Sequence, residues 1–130
     1  MEQHNVIRNN QGFTLVESMI AILLLSIMML ASFTGLIASY RSTTTNALRD
    51  EGVILGQELA TLARNTPYAS LANSTTYPTR QVSNATVIYT VQQTVSEMVI
   101  GLVSAVRIDV SWGYQGQTFQ YTATAIVGNT

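Results

Sequence analysis

Hydrophobic and polar positions divide this chain into two regimes. Phe13 to Ala38 is an apolar run with Glu17 as its only charge, and Ser18 to Tyr40 contains no Asp, Glu, Lys or Arg. A helix of roughly 20 such residues crosses the hydrocarbon core of a bilayer, so the run is long enough to span. From Tyr40 to Arg64 the chain turns polar but keeps a helical rhythm. Leu48, Leu55, Leu59 and Leu62 recur at spacings of seven, four and three, which predicts one helix face. Arg49, Asp50, Glu51 and Glu58 fall mostly off that face, so the leucines are expected to touch the core of the chain's own domain. Asn65-Thr66-Pro67 ends the pattern, because the residue before a proline is pushed out of the helical region. Together the two stretches predict one helix over Phe13–Arg64, about 78 Å long at about 1.5 Å per residue. Its first part, 13–40, suits a membrane or filament core, and its second, amphipathic part, 41–64, the floor of a small domain. Gly35, Thr43–Thr45 and Gly52 are its weak points, where a bend or local melting is expected.

The period then changes. Residues 65–84 are rich in Ser, Thr, Asn and Pro and predict a connecting loop. Val87, Tyr89, Val91 and Val95 come in near alternation, the signature of a half-buried strand. Val106, Ile108, Val110 and Trp112 alternate with Arg107, Asp109 and Ser111, and Phe119, Tyr121, Ala123 and Ala125 alternate on the return. Gly113 to Gly116, "GYQG", supplies a tight turn between them and predicts a β-hairpin. The fold class expected is α+β: a long hydrophobic helix running into a small domain. Its 85–130 region forms an antiparallel sheet of three to four strands laid on the leucine face. Trp112 is expected to anchor that sheet against the helix.

Composition removes most chemistry. Six basic residues, all arginine and scattered, give no stripe that would hold a phosphate backbone, so no nucleic acid partner is expected. There is no cysteine and one histidine, His4, which leaves no thiolate site and no His-based metal or triad chemistry. Asp109 and Glu97 are too few for a calcium cage. Asp50 and Glu58 read as solvated charges on a helix rather than a catalytic pair. No phosphate loop or nucleophile elbow occurs. No catalytic residue, cofactor or metal is expected, and the chain does not read as an enzyme.

Glu17 is the residue that needs a reason. A carboxylate at the bilayer centre costs about 2.5–3.5 kcal/mol on insertion scales, and intramembrane acids are usually paired and functional. A plain reading exists: a glutamate in a first helical turn favours the positive end of the helix dipole and sits among headgroups. An ordinary cleaved secretory signal does not fit, because its apolar region would be about 7–15 residues and be followed by a small-x-small site. Here "TGLIASYR" offers neither that site nor a helix breaker.

The polar leader "MEQHNVIRNNQ" followed by "GFTLVE" and a charge-free span resembles the class III signal of type IV prepilins. The resemblance is firm over residues 8 to about 40. It implies that residues 1–12 are a leader cut between Gly12 and Phe13 on the cytoplasmic side by a membrane prepilin peptidase, which also N-methylates Phe13. Gly12 suits the site, having no side chain to obstruct a protease cleft. The new ammonium at Phe13 lies four residues from Glu17, a helical-neighbour spacing. The resemblance implies that Glu17 of one subunit pairs with the Phe13 ammonium of the next, making a buried charge tolerable and setting axial register. Family leaders usually carry Lys or Arg close to the glycine, whereas here Arg8 stands four residues before it. The arginine asymmetry, Arg8 before the span against Arg41 and Arg49 after it, taken alone favours the reverse orientation to the one the resemblance implies.

The hairpin "VRIDVSWGYQGQTFQYT" is loosely similar to the ends of PilV-type minor pilins and GspI-type minor pseudopilins. The function expected is a minor type IV pilin, held in the inner membrane with a periplasmic C-terminal domain and incorporated into the pilus to prime or support assembly. Its expected partners are the prepilin peptidase/methyltransferase, other minor and major pilins, and the assembly platform. A minor pseudopilin of a type II secretion system is the near alternative. A ligand- or DNA-binding competence or adhesion pilin is the alternative of another class, and the scattered Arg64, Arg80 and Arg107 do not favour it.

Overall fold

The computed structural model describes residues 12–129. The chain divides into two compact units, with the boundary between Ser39 and Tyr40. One helix, α1 (Leu15–Asn65), contributes to both. It begins two residues later than the periodicity predicts and ends two residues before Pro67.

In the first unit every described residue is exposed. An 18-residue window of α1 here has a mean hydropathy of 2.5 and none of it is buried, so the helix is long and apolar enough to cross a membrane. Its few hydroxyls are satisfied internally: Ser26 donates to the Ile22 carbonyl at 2.8 Å, Ser32 to Met28 at 2.9 Å and Thr34 to Ala31 at 2.8 Å. Such back-bonding leaves no hydroxyl donor seeking water in an apolar medium.

The second unit begins at Tyr40. The rest of α1 packs on a four-stranded antiparallel sheet of order β1-β4-β5-β6, made of β1 (Ser74–Thr76), β4 (Thr90–Val99), β5 (Val103–Tyr114) and β6 (Gln117–Gly128). A separate two-stranded ribbon pairs β2 (Thr79–Val82) with β3 (Ala85–Ile88). The core joins Leu48 and Leu55 of the helix to Val91, Val106, Ile108, Val110 and Trp112, inward residues of β4 and β5. The expected hairpin is in register from Tyr114↔Gln117 to Val103↔Gly128. Its two loop residues, Gln115 and Gly116, have φ of 50° and 76°, the positive values a type I′ turn needs to match strand twist.

The structure alters the sequence reading in four places. Residues 65–84, expected to be loop, contain a 3₁₀ turn (Tyr68–Ser70), β1 and β2. Ser74–Thr76 is exposed on both faces and pairs only through backbone with β4, so it shows no apolar alternation to detect. The run from Ala85 to Val95 is not one strand but two, divided at Tyr89. Its N–H donates to the Pro78 carbonyl at 2.9 Å, and its buried hydroxyl donates to the Leu48 carbonyl at 2.9 Å. The leucine face is only partly right: Leu48 and Leu55 are buried and Leu59 packs at the core margin, but Leu62 is 61 % exposed.

The helix docks instead along Thr44, Leu48, Gly52, Gly56 and Ala60, a row with spacing of four. At 3.6 residues per turn such a row winds about 40° per step, forming the inclined ridge by which a helix meets a twisted neighbour. Gly52 is therefore a notch and not a weak point. A Cβ there would stand 2.6 Å from the Trp112 ring, and one at Gly56 would stand 2.7 Å from Tyr121. Trp112 is held in place by Phe119, stacked at 5.9 Å, and Tyr89, tilted at 5.5 Å.

Candidate functional site

The first turn of α1 brings together three of the residues that the sequence singles out. Gly12, Phe13 and Glu17, with Thr14, line one open recess at the start of the helix. Thr14 is the residue that organises it. Its Oγ1 accepts a hydrogen bond from the Glu17 backbone N–H at 3.2 Å, and its carbonyl accepts the Ser18 N–H at 3.1 Å. A Thr followed three residues later by Glu is the spacing of a capping box, in which the threonine satisfies an otherwise orphaned N–H of the first turn. The T-x-x-E spacing of Thr14 and Glu17 is the sequence signal of this cap, unused when Glu17 is read only as a misplaced charge.

The cap fixes where Glu17 lies without using its carboxylate. Among the described residues that carboxylate has no hydrogen bond or ion pair. It stands in the first turn, where the helix's unsatisfied N–H groups create a positive potential. Phe13 is 81 % exposed beside it. A Cβ added at Gly12 would meet nothing within 4 Å among the described residues. Residues 1–11, most of the expected leader 1–12, lie outside the described residues, and Arg8 with them.

Residues 7–33 match the model of the prokaryotic N-terminal methylation motif. That stretch is similar to a class III signal. The match covers well under half of the chain, but it includes Gly12, Phe13, Thr14 and Glu17. The motif, the apolar helix and the antiparallel sheet that follows are together consistent with the type IV pilin-like family, pseudopilins included. No curated protein and no solved structure matches the chain. Proteins with this motif are structural, are processed by prepilin peptidase and assemble with other pilins.

The second unit carries two polar clusters that the sequence did not reveal. Arg80 on β2 reaches Glu51 at 3.5 Å and Glu58 at 3.3 Å on α1, tying the β2–β3 ribbon to the helix through one half-buried and one more exposed pair. On the outer sheet face Asp109 accepts from the Thr122 hydroxyl and from Arg107 and Gln120. The Thr122 hydrogen bond, then the Arg107 contact, holds its carboxyl below the usual range against the opposing effect of desolvation. No three His, Cys, Asp or Glu side chains come together among the described residues.

Proposed function

We propose that this chain is a minor type IV pilin, cleaved between Gly12 and Phe13, N-methylated at Phe13 and anchored in the inner membrane with residues 40–130 on the periplasmic side. Glu17 is then the fifth residue of the mature subunit. The observation that carries this reading is a carboxylate without a partner, fixed by the Thr14 cap at the start of a fully exposed apolar helix. In an isolated subunit only the helix's first-turn N–H groups offset that charge, with no counter-ion beside it among the described residues. In a filament the Phe13 ammonium of a neighbour supplies the opposite charge and ties subunit register to pair formation. The scattered arginines favour a filament subunit over a nucleic-acid-binding pilin.

The test is Glu17→Val in the native host. Its product should still be cleaved and inserted but be at least tenfold depleted from sheared surface filaments. Equal recovery of variant and wild type would refute the pairing role. Crosslinked partners of the wild-type chain decide the machine: pilus subunits support this reading, and secretion pseudopilins in their place would reassign the chain to a type II system.

A further inference from the structure

The outer edge of β6 is built for a strand that the chain does not supply. β6 is twelve residues long, forms one margin of the four-stranded sheet, and contains neither a charged residue nor a proline. Sheet edges in soluble domains are ordinarily blunted by shortness, charge, proline or a bulge. The opposite margin obeys that rule, since β1 has only three residues. Because the two-residue loop makes Tyr114 and Gln117 a bonded pair, residues 117, 119, 121, 123 and 125 bond to β5. Thr118, Gln120, Thr122, Thr124 and Ile126 then direct their backbone N–H and C=O groups outward. No backbone hydrogen bond from another described segment meets them.

The inward side chains tell the same story. Phe119, Tyr121 and Ala123 remain only partly buried although their neighbours Val110 and Ile108 on β5 are fully buried. Between α1 and β6 lie three recesses in a row. One of about 220 Å³ includes Arg49 and Phe119, one of about 440 Å³ includes Arg64 and Ala123, and one of about 410 Å³ lies between Arg64 and Val127. No carboxylate lines any of them, whereas Arg49 and Arg64 do and have no ion pair among the described residues. Fifteen residues separate the two arginines, a little over four turns. They therefore project from similar sides of the helix about 22 Å apart, the length of about six or seven extended residues.

We infer that β6 is a docking edge for an extended acidic segment of a partner protein, which adds as a strand beside it and directs carboxylates spaced about six residues apart to Arg49 and Arg64. The backbone ladder supplies the attachment, and the arginines select the partner and its register. This inference rests on the second unit alone and stands whichever filament the chain serves.

The test uses the full chain in detergent and a labelled nine-residue peptide of alternating Thr and Val with Glu at its second and eighth positions. Fluorescence anisotropy should show saturable binding, and exchange of the Thr122, Thr124 and Ile126 amides should slow. The same peptide with Lys for Glu should bind at least tenfold more weakly. Thr124→Pro removes an outward N–H without touching the β5 ladder, and the double variant Arg49→Glu, Arg64→Glu reverses the charge. Each should lose at least tenfold in affinity with near-unchanged melting of the domain. Absence of binding, or binding blind to peptide charge and to both variants, would overturn the proposal. So would a disulfide dimer of Thr124→Cys forming readily in this cysteine-free chain and excluding the peptide, because β6 would then be pairing with a second copy of itself.

Discussion

At the residue scale, two glycines and a threonine do work that bulkier or charged neighbours seemed better placed to do. Gly52 admits the Trp112 ring and Gly56 admits Tyr121. Gly52→Ala should lose about 1–2 kcal/mol of stability, because overpacking against a ring fixed by Phe119 and Tyr89 outweighs the gain in helix propensity. Gly56→Ala should lose less, since Tyr121 is only partly buried and has room to swing. Chemical denaturation followed by the single tryptophan checks both, and a neutral or stabilising Gly52→Ala would contradict the notch. Thr14→Ala should speed exchange at the Glu17 amide by removing its acceptor, with no change in the sheet amides. Neither glycine's role was legible in the sequence. A glycine in a helix reads as a weak point until the residue opposite it is known, and that residue lies about sixty positions downstream.

At the element scale, legibility followed apolar alternation. β5 and β6 each bury one face, so their pattern showed, and the "GYQG" turn fixed their pairing. β1 and β2 are short and mostly polar, so they show no apolar alternation and read as loop in the sequence. The division of the first predicted strand at Tyr89 goes with a hydrogen bond to the Leu48 carbonyl across the core, which no local pattern encodes. Burial, and then the charge of Glu51, push the Tyr89 hydroxyl up to about 12. The folded state thus holds its proton more tightly than the unfolded chain, and this contribution is complete below about pH 10 and lost as pH rises toward 12. Tyr89→Phe should therefore flatten the alkaline limb of the stability curve and lose about 1 kcal/mol at neutral pH. Asp109 has the opposite sign. Its lowered carboxyl pKa favours the folded state above about pH 4. That contribution falls away as acidification passes through the folded value, and Thr122→Val should shrink it. Urea unfolding between pH 2 and 11 reads both limbs.

At the scale of the whole molecule, one helix contributes to both compact units, and on the proposed reading its first turn carries the information for assembly. The fold class and the apolar span could be read from sequence because they are local, a run and a spacing, while the roles of Gly12, Phe13 and Glu17 belong to the proposal. The free edge of β6 became visible only in the fold, whereas the T-x-x-E spacing of the cap that positions Glu17 is already present in the sequence. The most direct test of the central claim is the mass of the N-terminal peptide of the chain purified from its native membrane. The account predicts a chain that starts at Phe13 and is heavier by one methyl group, and predicts that Gly12→Leu abolishes this species. A mature chain that retains Met1, or one cleaved elsewhere, would contradict it.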